Sequence, residues 1–142
     1  MQGIDTNVIV YAHRKDLPQH KIATELLESL ISGIKPWAIA WPSLYEFYRL
    51  VTHPRVFSKP SRRSEALAVI SALHEIHSLR ILSHGSAHLQ RMLELCRQAE
   101  ITGNLAFDVQ IAAIFLEHGI GEIITNDADF CRFSALRVNN PF

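Results

Sequence analysis

Short apolar runs alternate along the chain with longer segments in which apolar residues recur every three or four positions. The runs resemble buried strands in length and composition, and the longer segments have the period of amphipathic helices. Strands are predicted at the start of "QGIDTNVIVYA", in "PWAIAW", "LRILS" and "GEIIT", and, with a weaker pattern, in "LRVNN". Helices are predicted in "HKIATELLESLISGI", "SLYEFYRLV", residues 64–77, "SAHLQRMLELCRQAE" and "NLAFDVQIAAIFLEHG".

Strands that alternate with helices favour an α/β fold, because parallel strands are connected through helical crossovers. We therefore expect a central, mainly parallel sheet of four to five strands with helices on both faces, a three-layer α/β/α sandwich. The chain has 142 residues, 48% of them hydrophobic, which is enough for one buried core. It has no internal repeat and no long linker, so residues 1–142 are expected to form a single domain.

Charge and cysteine content say less about function. The chain has 14 basic and 14 acidic residues, so its net charge points to no particular partner. Cys96 and Cys131 lack a CxxC partner, which favours free thiols in a reducing compartment. No segment reaches the roughly 20 apolar residues of a membrane span, and the chain begins with strand-like sequence rather than a basic and apolar leader. We therefore expect a soluble, cytoplasmic protein.

Acidic residues stand at corresponding places in several of the predicted elements. Asp5 closes the first strand, and Asp127 follows "GEIIT". Glu46 falls in the first turn of its predicted helix, and Asp108 lies about one turn into another. The carboxyl ends of parallel strands and the amino ends of the helices that follow them share one edge of a sheet. These four carboxylates are therefore predicted to converge at that edge, where Asp129 would add a fifth.

Each carboxylate also has an explanation that involves no chemistry. Asp5, Asp127 and Asp129 could accept hydrogen bonds from backbone N–H groups in turns or at a helix start. The segment Ser43–Glu46 matches the S-x-x-E capping box, in which the glutamate bonds back to the start of its helix. Asp108 is harder to explain as a surface residue, because it lies at the margin of an apolar helix face. Their convergence favours a site over four separate caps.

Carboxylates held close together repel one another, so a fold that gathers them normally needs a cation. Oxygen ligands with no cysteine or histidine at the same predicted edge favour Mg²⁺ or Mn²⁺ over Zn²⁺. His74 and His77 in "HEIH" lack the HExxH spacing and are interpreted as surface residues. Such an ion can activate water against a phosphate, so the chemistry that fits best is phosphodiester hydrolysis.

The segment from Arg49 to Arg63 contains several basic residues and no acidic one. It follows Glu46 directly, so it could guide a phosphate backbone past the carboxylates. A solvated basic loop and a contact to a protein partner are the alternatives. The candidate RNA contacts are Arg49, Arg55, Arg62 and Arg63.

The chain contains, in this order, the segments "IDTNVIVYA", "LYEFYRLVTHPRVF", "GNLAFDVQIAAIFLEHGI" and "IITNDADF". In order and spacing these four segments resemble the PIN-domain nucleases, and in particular the VapC toxins of prokaryotic toxin-antitoxin pairs. The resemblance implies a PIN-like fold in which Asp5, Glu46, Asp108 and Asp127 are the catalytic and metal-binding acidic residues. Asn7 and Thr125 match polar positions that orient these carboxylates, and Asp129 matches a position whose role varies.

The resemblance further implies Mg²⁺-dependent endoribonuclease activity, homodimerisation and inhibition by a cognate VapB-type antitoxin. In the predicted mechanism a metal-activated water attacks phosphorus in line and leaves 5′-phosphate and 3′-hydroxyl ends. Three alternatives stay open from the sequence. One is a PIN-type nuclease for RNA maturation or DNA, and another is a module that acts by binding alone. The third, a receiver-like signalling module, needs a late lysine, whereas no lysine follows Lys59.

Overall fold

Five short strands form one sheet in the computed structural model, which describes residues 1–142. The strands are β1 (Gln2–Ile4), β2 (Trp37–Ala40), β3 (Leu79–Leu82), β4 (Glu122–Ile124) and β5 (Arg137–Asn139). The helices are α1 (Thr6–His13), α2 (His20–Ser32), α3 (Trp41–Thr52), α4 (Arg63–His74), α5 (His88–Gln98), α6 (Leu105–Glu117) and a 3₁₀ helix at Ala128–Arg132.

The strands lie in the order β3-β2-β1-β4-β5, and every neighbouring pair is parallel. The predicted parallel sheet of four to five strands is confirmed. Strands β2 and β3 are added in sequence on one side of β1, and β4 and β5 are added on its other side. The carboxyl ends of β1 and β4 therefore flank the point where the strand order reverses, which is the usual place for a site in an open α/β sheet.

Alternate residues of the central strands enter two different hydrophobic clusters. Trp37 and Ile39 pack with α1, α3 and α4, whereas Ala38 and Ala40 pack with α6. In β4, Ile123 and Ile124 divide between the same two clusters. Successive side chains of a strand point to opposite faces, so the sheet is buried on both sides, as a three-layer sandwich requires.

Helix α1 is not predicted by the apolar pattern of the sequence. Its residues Val8, Ile9 and Val10 are β-branched and would suit a strand, but all three are buried in the helix. The side chain of Asp5 accepts a hydrogen bond from the backbone N–H of Thr6 at the helix start. Tertiary packing and this cap together outweigh the local strand preference. None of the helices is long and apolar enough to cross a membrane.

Candidate active site

Asp5 lies directly after β1 and is buried, with 5% of its surface exposed. Its Oδ1 accepts a hydrogen bond from the Thr6 backbone N–H at 2.7 Å. Its Oδ2 accepts hydrogen bonds from Asn7 Nδ2 at 2.9 Å and from Thr125 Oγ1 at 2.7 Å. Asn7 Nδ2 also donates to Thr125 Oγ1 at 2.8 Å. These contacts fix the orientation of the carboxylate at the junction of β1, α1 and β4.

The carboxylates that the topology gathers oppose one another's ionisation. The pKa of Asp5 is raised to about 7, mainly by burial and to a lesser degree by the negative charges of Glu46 and Asp108, although the hydrogen bonds from Thr125 and Thr6 act in the opposite direction. Burial also raises the pKa of Asp108 to about 6, with further contributions from Asp127, Glu46 and Asp129. Each group would ionise more readily if a cation stood among them, so the electrostatics favour cation binding at this place.

Glu46 belongs to the second turn of its helix, because α3 begins at Trp41. The capping-box explanation of Glu46 is therefore wrong: Ser43 is buried inside the helix, and its hydroxyl has no hydrogen-bond partner. Glu46 Oε2 instead accepts a hydrogen bond from Thr6 Oγ1 at 2.7 Å. Its Oε1 lies 3.8 Å from Arg49 Nη2. Both oxygens of Glu46 thus have partners at the carboxyl edge of the sheet.

Thr125 and Asp127 form the turn after β4. The backbone N–H of Asp127 donates to Thr125 Oγ1 at 2.9 Å, and Asp127 Oδ1 accepts from the backbone N–H of Asp129 at 2.8 Å. Asp127 therefore caps the 3₁₀ helix, as the structural explanation of this residue supposed. Carboxylate oxygens of Asp108, Asp127 and Asp129 nevertheless lie within 4.8 Å of one another. Asp127 therefore both caps the 3₁₀ helix and belongs to a cluster of three carboxylates.

One cavity of about 390 Å³ is lined by Asp5, Glu46, Asp108 and Asp127. The fold thus brings together the four carboxylates for which the sequence predicts convergence. Asp129 lines an adjoining groove of about 840 Å³, which it shares with Glu46 and Asp108. Catalytic and metal-binding roles for these residues stay predictions.

The donor set fits a hard divalent cation. All the charged groups in the cavity are carboxylates, and Asn7 Oδ1 is a buried oxygen with no hydrogen-bond partner. The sequence-based expectation that no histidine lies nearby is wrong, because His84 lines the adjoining groove beside Gln110, 3.3 Å from its amide nitrogen. Candidate ligand atoms lie close together in Asp108, Asp127 and Asp129, whereas Asp5, Glu46 and His84 lie outside this group.

The four arginines proposed for RNA contact are all exposed, but they differ in position. Arg49 lines the adjoining groove. Arg55 lies in the loop after α3, and Arg62 and Arg63 stand at the start of α4; none of these three lines either cavity. Arg49 is therefore the arginine that the geometry associates with the carboxylates, and contacts from the others stay predictions.

Sequence reasoning missed Thr6 and the aromatic residues of the adjoining groove. Thr6 follows Asp5 directly and joins two carboxylates from different elements, since its backbone bonds Asp5 and its hydroxyl bonds Glu46. The signal available in the sequence was a hydroxyl residue directly after a candidate ligand. Trp41 and Phe107 line the groove beside Glu46 and Asp108. Trp41 was assigned to the end of a strand, because the start of α3 was predicted two residues too late. The start of α6 was predicted correctly, but exposure of Phe107 in a groove does not follow from an apolar helical pattern.

Comparison with known proteins finds both a matching family model and similar curated proteins. A family model described as PIN domain matches residues 4–136. The chain is 33% identical over 141 residues to Ribonuclease VapC25 of Mycobacterium tuberculosis, a match that covers 97% of this chain and 96% of that protein.

Two solved structures extend the likeness to the fold. VapBC2 from Rickettsia felis, solved bound to a DNA fragment from its promoter, has a TM-score of 0.69 at 23% identity and covers 98% of this chain and 97% of that chain. The toxin VapC20 of Mycobacterium tuberculosis, described as cleaving the sarcin-ricin loop, has a TM-score of 0.68 at 18% identity and covers 92% and 93%. The predicted PIN-like α/β/α sandwich is confirmed.

Proposed function

The chain belongs to the PIN domain family, alongside the VapC ribonucleases, and from this premise we propose that it is a metal-dependent endoribonuclease. We further propose that it is the toxin of a type II toxin-antitoxin pair. The observation that carries the enzymatic part is the cavity lined by Asp5, Glu46, Asp108 and Asp127. The raised pKa values of Asp5 and Asp108 support a site that is completed by a cation.

Asp5 and Asp108 are the proposed principal ligands of Mg²⁺ or Mn²⁺, and Glu46 and Asp127 complete the cluster. When bound, such an ion lowers the pKa of a coordinated water, and its own positive charge stabilises the phosphate in the transition state. The hydrogen bonds from Asn7, Thr125 and the Thr6 backbone hold the Asp5 carboxylate in one orientation, which supports a ligand role for it.

Glu46 is the proposed acceptor of the proton that the attacking water loses. Its position is held by the Thr6 hydroxyl on one oxygen, and the Arg49 guanidinium lies near the other. The water oxygen forms a bond to phosphorus, the bond from phosphorus to the 3′ oxygen breaks, and that oxygen takes up a proton from solvent. The products carry 5′-phosphate and 3′-hydroxyl ends, and the RNA 2′-hydroxyl takes no part.

The proposed partners follow from the relatives. Solved relatives include VapBC complexes, which supports a VapB-type antitoxin as inhibitor of this chain. Homodimerisation is proposed on the same family basis. Cys96 and Cys131 are both free, which supports action in the reducing cytoplasm.

The test is cleavage of labelled total RNA by the purified protein in Mg²⁺ or Mn²⁺, with EDTA as the metal-free arm. Asp5→Asn and Asp108→Asn are expected to abolish cutting, whereas Glu28→Gln, an exposed charge change on α2, should leave it intact. Sequencing of the product ends should find 5′-phosphates. Ends with 2′,3′-cyclic phosphate would sink the metal-water mechanism, and equal cutting by both Asn variants would show that the acidic cavity is not the active site.

The same assay separates the proposed function from its rivals. Cleavage of DNA at a rate similar to that of RNA would favour a nuclease of broader substrate range. Metal binding without cleavage of any nucleic acid would favour a module that acts by binding alone.

A further inference from the structure

The loop between β3 and α5 carries His84 to the groove that adjoins the carboxylate cavity. The side chain of His84 is exposed and lines this groove together with Glu46 and Asp108. Its Nε2 lies 3.3 Å from the amide nitrogen of Gln110 on α6. Its ring packs against the ring of His88, and the two centroids are 4.2 Å apart. Contacts on two sides therefore hold the imidazole of this exposed residue in place.

Glu117 anchors the loop that carries His84. The side chain of Glu117 is only 2% exposed, although it lies at the end of α6. Its Oε2 accepts a hydrogen bond from the backbone N–H of Gly85 at 2.9 Å, and its Oε1 lies 3.0 Å from His88 Nδ1. A carboxylate shielded from water needs such partners, because an unpaired charge is costly there. Glu117 thus fixes both the residue that follows His84 and the ring against which His84 packs.

The proposed hydrolysis includes one proton transfer to which no side chain has been assigned. When the bond from phosphorus to the 3′ oxygen breaks, that oxygen must gain a proton. The titratable side chains that line the two cavities are carboxylates, two tyrosines, one arginine and one histidine. Carboxylates that hold a cation are ionised, and tyrosine and arginine ordinarily keep their protons up to about pH 10. Histidine is the side chain that exchanges protons near neutral pH, so His84 is the residue suited to this step.

Glu46 and His84 reach the groove from opposite faces of the sheet. Glu46 belongs to α3, whose buried side chains enter one hydrophobic cluster, whereas His84 is held against α6, whose buried side chains enter the other. In an in-line displacement the attacking water and the leaving oxygen stand on opposite sides of phosphorus. A phosphate between the two residues therefore has a proton acceptor on the side of the water and a proton donor on the side of the leaving oxygen.

We propose that His84 is a further catalytic residue, the general acid that protonates the 3′ leaving oxygen. The inference rests on the proposed ribonuclease function and replaces solvent as the immediate source of that proton. The Gln110 amide can turn its N–H or its oxygen toward Nε2, so it holds the ring in both protonation states and leaves Nδ1 to donate. The proton moves from Nδ1 to the 3′ oxygen as the phosphorus–oxygen bond breaks, and the neutral imidazole then regains a proton from water.

The test replaces the 3′ oxygen of the cleaved bond with sulfur, in an RNA oligonucleotide that contains the bond mapped by sequencing of the product ends. A thiol has a pKa of about 8.5, so a 3′ thiolate leaves without help from a general acid. In Mn²⁺, His84→Gln should lower kcat on the oxygen-linked RNA by about 100-fold with little change in KM. The same variant should cleave the sulfur-linked RNA as fast as the wild type does, which also shows that it is folded. His77→Gln, at an exposed histidine that lines neither cavity, is the matched control and should cleave both RNAs normally.

An unchanged kcat of His84→Gln on the oxygen-linked RNA would overturn the proposal and leave the ribonuclease function standing. An equal loss on both RNAs would also overturn it, because His84 would then act in binding the phosphate or in shaping the groove rather than in proton transfer. Failure of the wild type to cleave either RNA would instead remove the ribonuclease function, and the role of His84 with it.

Discussion

Replacement of Asp108 by asparagine should stabilise the metal-free protein while it removes activity. The pKa of Asp108 rises from its ordinary value of 3.8 to about 6, first because of burial and then because of the charges of Asp127, Glu46 and Asp129. The ionised form is therefore less favourable in the folded chain than in the unfolded chain. Asparagine has nearly the same shape and carries no charge, so Asp108→Asn removes this penalty.

The expected gain in the free energy of unfolding follows from the size of the pKa shift of Asp108. Taken at face value, a change from 3.8 to about 6 corresponds to about 3 kcal/mol. Asp108 is only half-buried, so solvent screening reduces the expected gain to about 1 kcal/mol. For a chain of 142 residues this should raise the melting temperature by about 3 °C.

The stability gained in Asp108→Asn should increase with pH. Below the unfolded-state pKa of 3.8, Asp108 is protonated in both states and costs nothing. As the pH rises through about 6, the folded protein must accept the unfavourable charge, and the stability that protonation provided is lost. The variant and the wild type should therefore melt together near pH 4 and differ most near pH 8.

Thermal melts in EDTA at about pH 4 and about pH 8 measure this difference directly. Glu28→Gln, which removes an exposed negative charge from α2, should melt like the wild type at both values. Addition of Mn²⁺ should raise the melting temperature of the wild type more than that of Asp108→Asn, because only the wild type keeps the full ligand set. A lower melting temperature for Asp108→Asn at pH 8, or an equal gain for Glu28→Gln, would refute the reasoning.

Two further predictions test the packing and hydrogen bonding around the site. A Cβ on Gly3 would lie 2.6 Å from the ring of Phe115, so Gly3→Ala should destabilise the fold by about 2 kcal/mol, and calorimetry should show partial recovery in the double variant with Phe115→Leu. Thr6→Val keeps the shape of the side chain but removes the hydroxyl that donates to Glu46, so kcat should fall by about 10- to 100-fold with little change in melting temperature. An unchanged kcat in Thr6→Val would show that Glu46 needs no such support.

The convergence of the acidic residues could be predicted because it depends on topology alone. Asp5 and Asp127 follow parallel strands, and Asp108 lies in the first turn of a helix at the same edge, so no side-chain detail is needed to bring them together. The type and order of the helices and strands could likewise be predicted, from the spacing of apolar residues along the chain. Among the strands and α-helices, only α1 was missed, because its β-branched residues suit a strand as well as a helix and tertiary packing decides between them.

The position of Glu46 shows where local reasoning fails. Pro42 looks like the boundary of a strand and Ser43 like a helix cap, and both interpretations put the start of α3 too late. Proline is also well tolerated in the first turn of a helix, because its missing N–H would have no partner there. In the structure Pro42 occupies that first turn, and Ser43 is a buried helix residue. A capping motif in a sequence therefore identifies a cap only when the helix start is known independently.

The hydrogen bond between Thr125 and Asp5 joins residues far apart in the sequence, yet it follows from strand register. Ile4 pairs with Ile124 in the parallel ladder, so the next residue of each strand, Asp5 and Thr125, must also lie side by side. Ile4 and Ile124 are buried, and a slip of one residue would exchange core and polar positions, so the register is strongly fixed. The same packing that builds the core thus forces a carboxylate of raised pKa into a buried position. The fold tolerates this local cost because the core supplies the stability, and the cost is what makes the position suited to bind a cation.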